Sequence, residues 1–327
     1  MTNKKKILLS GVKPTGRPHI GNYFGAMKQF VDLQDEYSAN IFIADLHAMT
    51  ARYDAKALKQ DIIDIALDYL AIGLDPKKVT LYKQSDVAEV AELCWVFNCI
   101  TTVPYLMRAH AYKDAEAKGA EVSVGTFDYP ILMAADILVQ DADVVPVGQD
   151  QKQHVEYARD TAEKFNRLFG ETFKIPEPMI LSSVQTIPGT DGRKMSKSYG
   201  NTIPLFATDE EIKKAVMSIP TDSKGVADKK NPDEMVIYQI HKLFLNSEED
   251  NSLRLRYEQG GLGYKEAKEL LIKSVSDFIR PLREKREELA KNSEHVLEVL
   301  KNGGEIAKKK VVAKMDEVRE KVGVKLY

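Results

Sequence analysis

Residues 6–30 read KILLSGVKPTGRPHIGNYFGAMKQF. A short apolar run ends at Ser10, the chain turns through Lys-Pro-Thr-Gly, and from Asn22 the apolar residues take helical spacing. This predicts a buried strand feeding through a turn into a helix. Working outward, ANIFIADL (39–46), KVTLYKQS (78–85) and DVVPVG (143–148) read as further buried strands, with EPMILSSVQTIPG (177–189) a less regular candidate. NYFGAMKQFVDLQDEY (22–37) and DAKALKQDIIDIALDYLAIGL (54–74) between them read as helices. Strands alternating with helices predict an α/β fold, a Rossmann-like doubly wound parallel sheet. After Asn201 strand signals nearly vanish. DEEIKKAVMSI, NPDEMVIYQIHKLFL, YKEAKELLIKSVSDFIRPLREKREELAKN, SEHVLEVLKN and the stretch from Glu305 all read as helices. The expected division is a Rossmann-like domain over 1–201 and an all-helical domain over 202–327.

The bulk numbers restrict function. The 327 residues are 43% hydrophobic with a net charge of −2, so contact with a polyanion must come from local patches. Two cysteines, Cys94 and Cys99, make no disulfide framework and no zinc site, and fit a reducing compartment. The apolar run near the start is too short for a signal peptide, and no segment is long enough to span a membrane. A cytoplasmic location is expected.

A strand–turn–helix leaves free backbone N–H groups at the helix start, where the helix dipole adds partial positive charge. In a parallel sheet that point lies at the carboxyl end of a strand, where ligands bind. Gly21 permits close approach, and His19 and Asn22, three residues apart, are compact donors suited to phosphate oxygens. The stretch alone fits equally well an ordinary turn with a surface histidine. It is neither a Walker A loop nor a G-x-G-x-x-G fingerprint. A second stretch, PGTDGRKMSKSYGNT (188–202), sets Lys194 and Lys197 on a glycine-flanked loop, a pattern suited to closing over a polyphosphate.

Together, P-T-G-x-x-H-I-G-N and K-M-S-K-S resemble the two signatures of class I aminoacyl-tRNA synthetases. With IADLHAMT, YPILMAADIL and VPVGQDQKQHVEYARD the resemblance extends over nearly the whole chain to the tryptophanyl-tRNA synthetase family. Asp136 sits in an apolar run, where a carboxylate needs a donor. The resemblance implies that it accepts the indole N–H, that Met133 packs on the indole, that Tyr129 and Gln151 hold the ammonium, and that His47 lies close by. A phenol O–H could also donate to Asp136, which keeps the related tyrosyl enzymes in view. The resemblance further assigns to ATP the residues Lys13, Pro14, Thr15, Gly21, Asn22, Gly148, Gln149, Asp150, Ile187, Lys194, Met195, Ser196, Lys197 and Ser198, with His19, Asn22, Lys194 and Lys197 acting in catalysis. Lys13 and Leu9 depart from the Gln and Phe of many bacterial relatives. The implied reaction is activation of L-tryptophan by ATP, with Mg²⁺ accompanying the triphosphate and no dedicated protein metal site, then transfer to tRNA(Trp). Implied partners are that tRNA, met by the helical domain, and a second copy of the chain in a homodimer; neither membrane nor DNA is expected.

Overall fold

The computed structural model describes residues 5–51, 54–109, 112–113, 121–148, 152–180 and 187–327. The strands are β1 (Ile7–Val12), β2 (Ser38–Ile43), β3 (Thr80–Lys83), β4 (Val144–Val147) and β5 (Glu177–Ile180). They form one sheet in the order β3-β2-β1-β4-β5, with every pairing parallel. The expected Rossmann-like sheet is therefore present. The weaker strand candidate contributes its first four residues; residues 181–186 lie outside the described set.

Helices follow in chain order. They are α1 (Ile20–Asn22), α2 (Lys28–Leu33), α3 (Asp45–Ala48), α4 (Ala55–Ala71), α5 (Glu89–Ile100), α6 (Val103–Leu106), α7 (Val124–Val139), α8 (Lys152–Phe169), α9 (Asp209–Met217), α10 (Val236–His241), α11 (Ser247–Gln259), α12 (Tyr264–Ala290) and α13 (Ser293–Lys321). A π turn, Tyr23–Met27, joins α1 to α2. Alternation along the strands divides the interior. Leu8, Ile41 and Leu81 pack with α4 and α12 on one face. Leu9, Phe42, Tyr82 and Val145 pack with α5, α7 and α8 on the other. No helix among the described residues is long and apolar enough to cross a membrane.

The C-terminal half corrects two details of the sequence reading. Ser247–Gln259 is helical although only Leu253 and Tyr257 are buried in it; an Asn246–Glu249 capping box starts it. The separate helices expected around Gly303 and Gly304 are one helix, α13. Its first half packs in one core through Val296, Val299 and Leu300, its second in the other through Ala307, Val311, Met315 and Val318. It crosses between them along the edge strand β3, and a Cβ at Gly303 would stand 1.9 Å from the Leu81 carbonyl oxygen. The glycine that suggests a break is what lets the helix lie on the strand and cover the sheet edge. Arg286 of α12 binds Asp64 and Asp68 of α4 at 2.8 and 2.5 Å, which ties the helical unit to a helix that packs on the sheet.

Candidate active site

A cleft of about 790 Å³ opens at the carboxyl ends of β1 and β4, the position where the strand order reverses and open sheets bind ligands. Two chemically different halves face each other across it.

One half is built from loops. His19 is the N-cap of α1. Its Nδ1 accepts from the Asn22 backbone N–H at 3.3 Å, while Asn22 Oδ1 accepts from the His19 backbone N–H at 3.1 Å. The pair is a reciprocal capping box. Because Nδ1 accepts, the proton of the neutral ring is on Nε2, so the cap orients His19 as a donor, and Asn22 likewise retains its Nδ2 donor. Burial, and then the charge of Lys197, lower the His19 pKa to about 4, so the ring is neutral near pH 7. A Cβ at Gly21 would stand 2.9 Å from His19 Nδ1 and 3.4 Å from Met195 Cβ; glycine there lets the cap and the second motif share one place.

The two motifs meet through backbone pairing. Ile20 N–H donates to the Ile203 carbonyl at 3.0 Å, and Leu205 N–H to the Pro18 carbonyl at 2.9 Å. Lys197 Nζ donates to the carbonyls of Thr15 and Gly16, both at 3.0 Å. Asn201, buried behind the loop, accepts from Ser196 N–H at 2.8 Å and donates to Asp191 and the Lys194 carbonyl at 2.6 and 3.1 Å.

The other half rests on regular elements. Tyr129, Met133 and Asp136 follow at four and three residues along α7 and so share one helix face toward the cleft. Asp136 accepts from His47 Nε2 at 2.9 Å and from Gln84 Nε2 at 2.9 Å to each oxygen. Burial raises its pKa, and the donors His47 and Gln84 pull against that rise. The Tyr129 hydroxyl meets His154 Nε2 at 2.6 Å, and Lys13 Nζ lies 5.7 Å from the Tyr129 ring centroid.

Of the residues expected from sequence, Lys13, Thr15, His19, Asn22, His47, Tyr129, Met133, Asp136, Gly148, Ser196 and Lys197 line the cleft. Pro14, Gly21, Ile187, Lys194, Met195 and Ser198 are not among its lining residues. Met195 and Ile187 are buried beside it and joined by a backbone hydrogen bond of 2.9 Å. The Lys194 side chain is exposed. Gln149, Asp150 and Gln151 lie outside the described residues. Among the described residues no group of three or more His, Cys, Asp or Glu side chains could hold a metal ion.

The family profile described as tRNA synthetases class I (W and Y) matches residues 1–280. A tryptophan–tRNA ligase of Fusobacterium nucleatum is 51% identical over 317 residues, 97% of each chain. The chain belongs to the tryptophanyl-tRNA synthetase family. The crystal structure of the Campylobacter jejuni tryptophanyl-tRNA synthetase, complexed with ADP and tryptophan, superposes with a TM-score of 0.92 at 46% identity, covering 97% of this chain and 99% of that one. A tyrosyl-tRNA synthetase of Archaeoglobus fulgidus shares the fold alone, at 19% identity and a TM-score of 0.64 over 87% of this chain and 91% of that one. As a tryptophanyl-tRNA synthetase the chain is a ligase that activates tryptophan and transfers it to tRNA.

Sequence reasoning missed three supports of the site: Gln84, His154 and Asn201. Gln84 lies in KVTLYKQS and Asn201 is the last residue but one of PGTDGRKMSKSYGNT, but a polar residue at a strand end or loop end gives no signal of its partner. His154 lies within VPVGQDQKQHVEYARD, a stretch that carries the resemblance; its i-to-i−25 partner Tyr129 is visible only in the fold.

Proposed function

We propose that both half-sites of this cleft work in one two-step reaction, with ATP on the loop side and tryptophan on the α7 side. In the first step a tryptophan carboxylate oxygen attacks the α-phosphorus of ATP. The bond from that phosphorus to the bridging oxygen breaks, and pyrophosphate leaves. The carboxylate is ionised near neutral pH, so no general base is required. Catalysis is then positioning plus stabilisation of charge on the leaving group. His19 Nε2–H and the Asn22 amide hold phosphate oxygens, with the backbone of Lys13, Pro14, Thr15 and Gly21 around them. Lys197, and Lys194 after loop closure, meet the charge building on pyrophosphate, with Met195, Ser196 and Ser198 shaping the loop. Gly148, Gln149 and Asp150 receive the ribose, and Ile187 lies toward the adenine. Mg²⁺ enters as part of the substrate, held by phosphate and water. Tryptophan lies with its indole N–H on Asp136, its ring on Met133, its ammonium on Tyr129 and Gln151, and His47 behind. In the second step a hydroxyl of the 3′-terminal ribose of tRNA attacks the acyl carbon, and AMP leaves.

The observation that carries this reading is the meeting of the two motifs and the buried Asp136 in one cleft at the topological switch. We assign residues 1–201 to catalysis and the helical unit 202–327 to the anticodon side of tRNA, in a cytoplasmic setting. Trp95, Val103, Met107 and Val124, on or beside α5, α6 and the start of α7, are exposed; a second copy covering them accounts for so much surface apolar area. Trp95→Glu is expected to shift the sedimenting species from dimer to monomer. Charging of tRNA(Trp) with labelled tryptophan tests the whole: accumulation of aminoacyl-tRNA supports it, and ATP binding without adenylate formation contradicts it.

A further inference from the structure

Asp136 is removed from water, and a carboxylate so placed persists as an anion only with donors around it. His47 supplies one such donor, and the other comes from Gln84. It opens the 3₁₀ turn Gln84–Asp86 after β3, is 1% exposed, and does not line the cleft. Its Nε2 is 2.9 Å from both Asp136 oxygens. Its Oε1 accepts from the backbone N–H of Leu46 at 3.1 Å and of His47 at 3.3 Å, in the first turn of α3.

An amide has one accepting end and one donating end. The two backbone donors occupy the accepting end, so a flip would set NH₂ against two N–H groups and leave Asp136 facing an oxygen. The donating end is therefore held toward Asp136 by the start of α3. The turn itself is clamped from outside by α13: Gly303 lies on Leu81, and a Cβ at Gly304 would stand 2.9 Å from Asp86 Cβ.

We propose that Gln84 is the positioning residue for tryptophan selectivity: it keeps the Asp136 carboxylate an acceptor, in the orientation that meets the indole N–H. This rests on the reading that Asp136 takes that N–H. Gln84 touches Asp136 and not the cleft, so its effect passes through the carboxylate. With Gln84 apolar, Asp136 keeps His47 alone as its side-chain donor among the described residues, and its oxygens are free to rotate or take up a proton.

The test compares pyrophosphate exchange with tryptophan and with 3-(1-benzothiophen-3-yl)alanine, an isostere whose ring sulfur replaces the N–H. It uses the wild-type protein, Asp136→Asn and Gln84→Met. Wild type is expected to favour tryptophan strongly, and Asp136→Asn to lose that preference. Gln84→Met is expected to lower kcat/KM for tryptophan by roughly 10- to 100-fold, mainly through KM, with less than about a 3-fold change for the isostere and an unchanged KM for ATP. If Gln84 only ties β3 to α3, both substrates fall together or neither changes, and the proposal is overturned. Should Gln84→Met lose ATP binding through misfolding, Gln84→Asn, which keeps an amide but withdraws it by one methylene, must still narrow the ratio; an unchanged ratio again overturns the proposal. No preference in the wild type would instead bring down the reading of Asp136 itself, and the role of Gln84 with it.

Discussion

The two sides of the cleft solve opposite problems. On the α7 side, polar groups are buried and each is held by partners on regular elements: Asp136 by His47 and Gln84, Gln84 by the start of α3. On the loop side, Lys197 is exposed and rests on two carbonyl oxygens, which hold an ammonium only until stronger acceptors arrive. Under the proposed function, the difference teaches that discrimination rests on buried groups held by regular elements, and charge stabilisation on exposed loop lysines. A site for a planar ring with one N–H needs fixed acceptor geometry; a site for charge that grows during reaction needs cations that can follow it.

Substitutions on the two sides should therefore fail in different kinetic terms. The largest effect is expected for Lys197→Ala: the activation rate falls by about 10² to 10³-fold, the scale for removing a donor to developing charge, with little change in tryptophan affinity. Stopped-flow adenylate formation measures it, and an unchanged rate would remove the loop from catalysis. Next, Asp136→Asn is expected to lower kcat/KM for tryptophan by roughly 10²-fold, through binding, because a charge-assisted hydrogen bond is lost. An equal loss in kcat alone would place Asp136 on the chemical rather than the recognition side.

Smaller effects probe the scaffold. Gly303→Ala puts a Cβ 1.9 Å from the Leu81 oxygen, and overpacking of this kind costs about 1–3 kcal/mol. Urea unfolding reads it, and a neutral result would mean that α13 does not clamp β3. His19 and His241 both have pKa values lowered to about 4, chiefly by burial. The unfolded chain binds those protons near pH 6.5 and the folded chain does not. Stability is therefore expected to fall as pH drops from 6.5 toward 4, and His241→Gln should flatten part of that slope. Least of all, Glu211→Gln loses the exposed Arg17 pair but keeps the Thr208 cap; a cost under about 1 kcal/mol is expected.

The same contrast governs what could be read from sequence. The loop side was legible because its parts are local: His19 and Asn22 cap one turn, and Lys194 to Lys197 sit in one pentapeptide. Even so, the sequence leaves His19 and Asn22 as either ligand donors or an ordinary turn, and the structure adds that they cap each other. The strands were legible because each is a short apolar run between turns. The wall around Asp136 was legible only by resemblance, since Gln84 and His47 lie 52 and 89 residues from it along the chain and nothing local marks them as partners. Gly303 and Gly304 misled for a related reason. Glycine within a helical pattern reads as a stop, and only the packed strand beside it reveals a close approach.

The central claim is that one cleft joins phosphate chemistry to recognition of an indole N–H. Amino-acid-dependent ATP–pyrophosphate exchange, with tryptophan and tyrosine supplied separately, tests it most directly. Exchange with tryptophan and none with tyrosine is the predicted result. Exchange with tyrosine would contradict the account of the pocket around Asp136, and no exchange with either in protein that binds ATP would contradict the account of the cleft as a catalytic site.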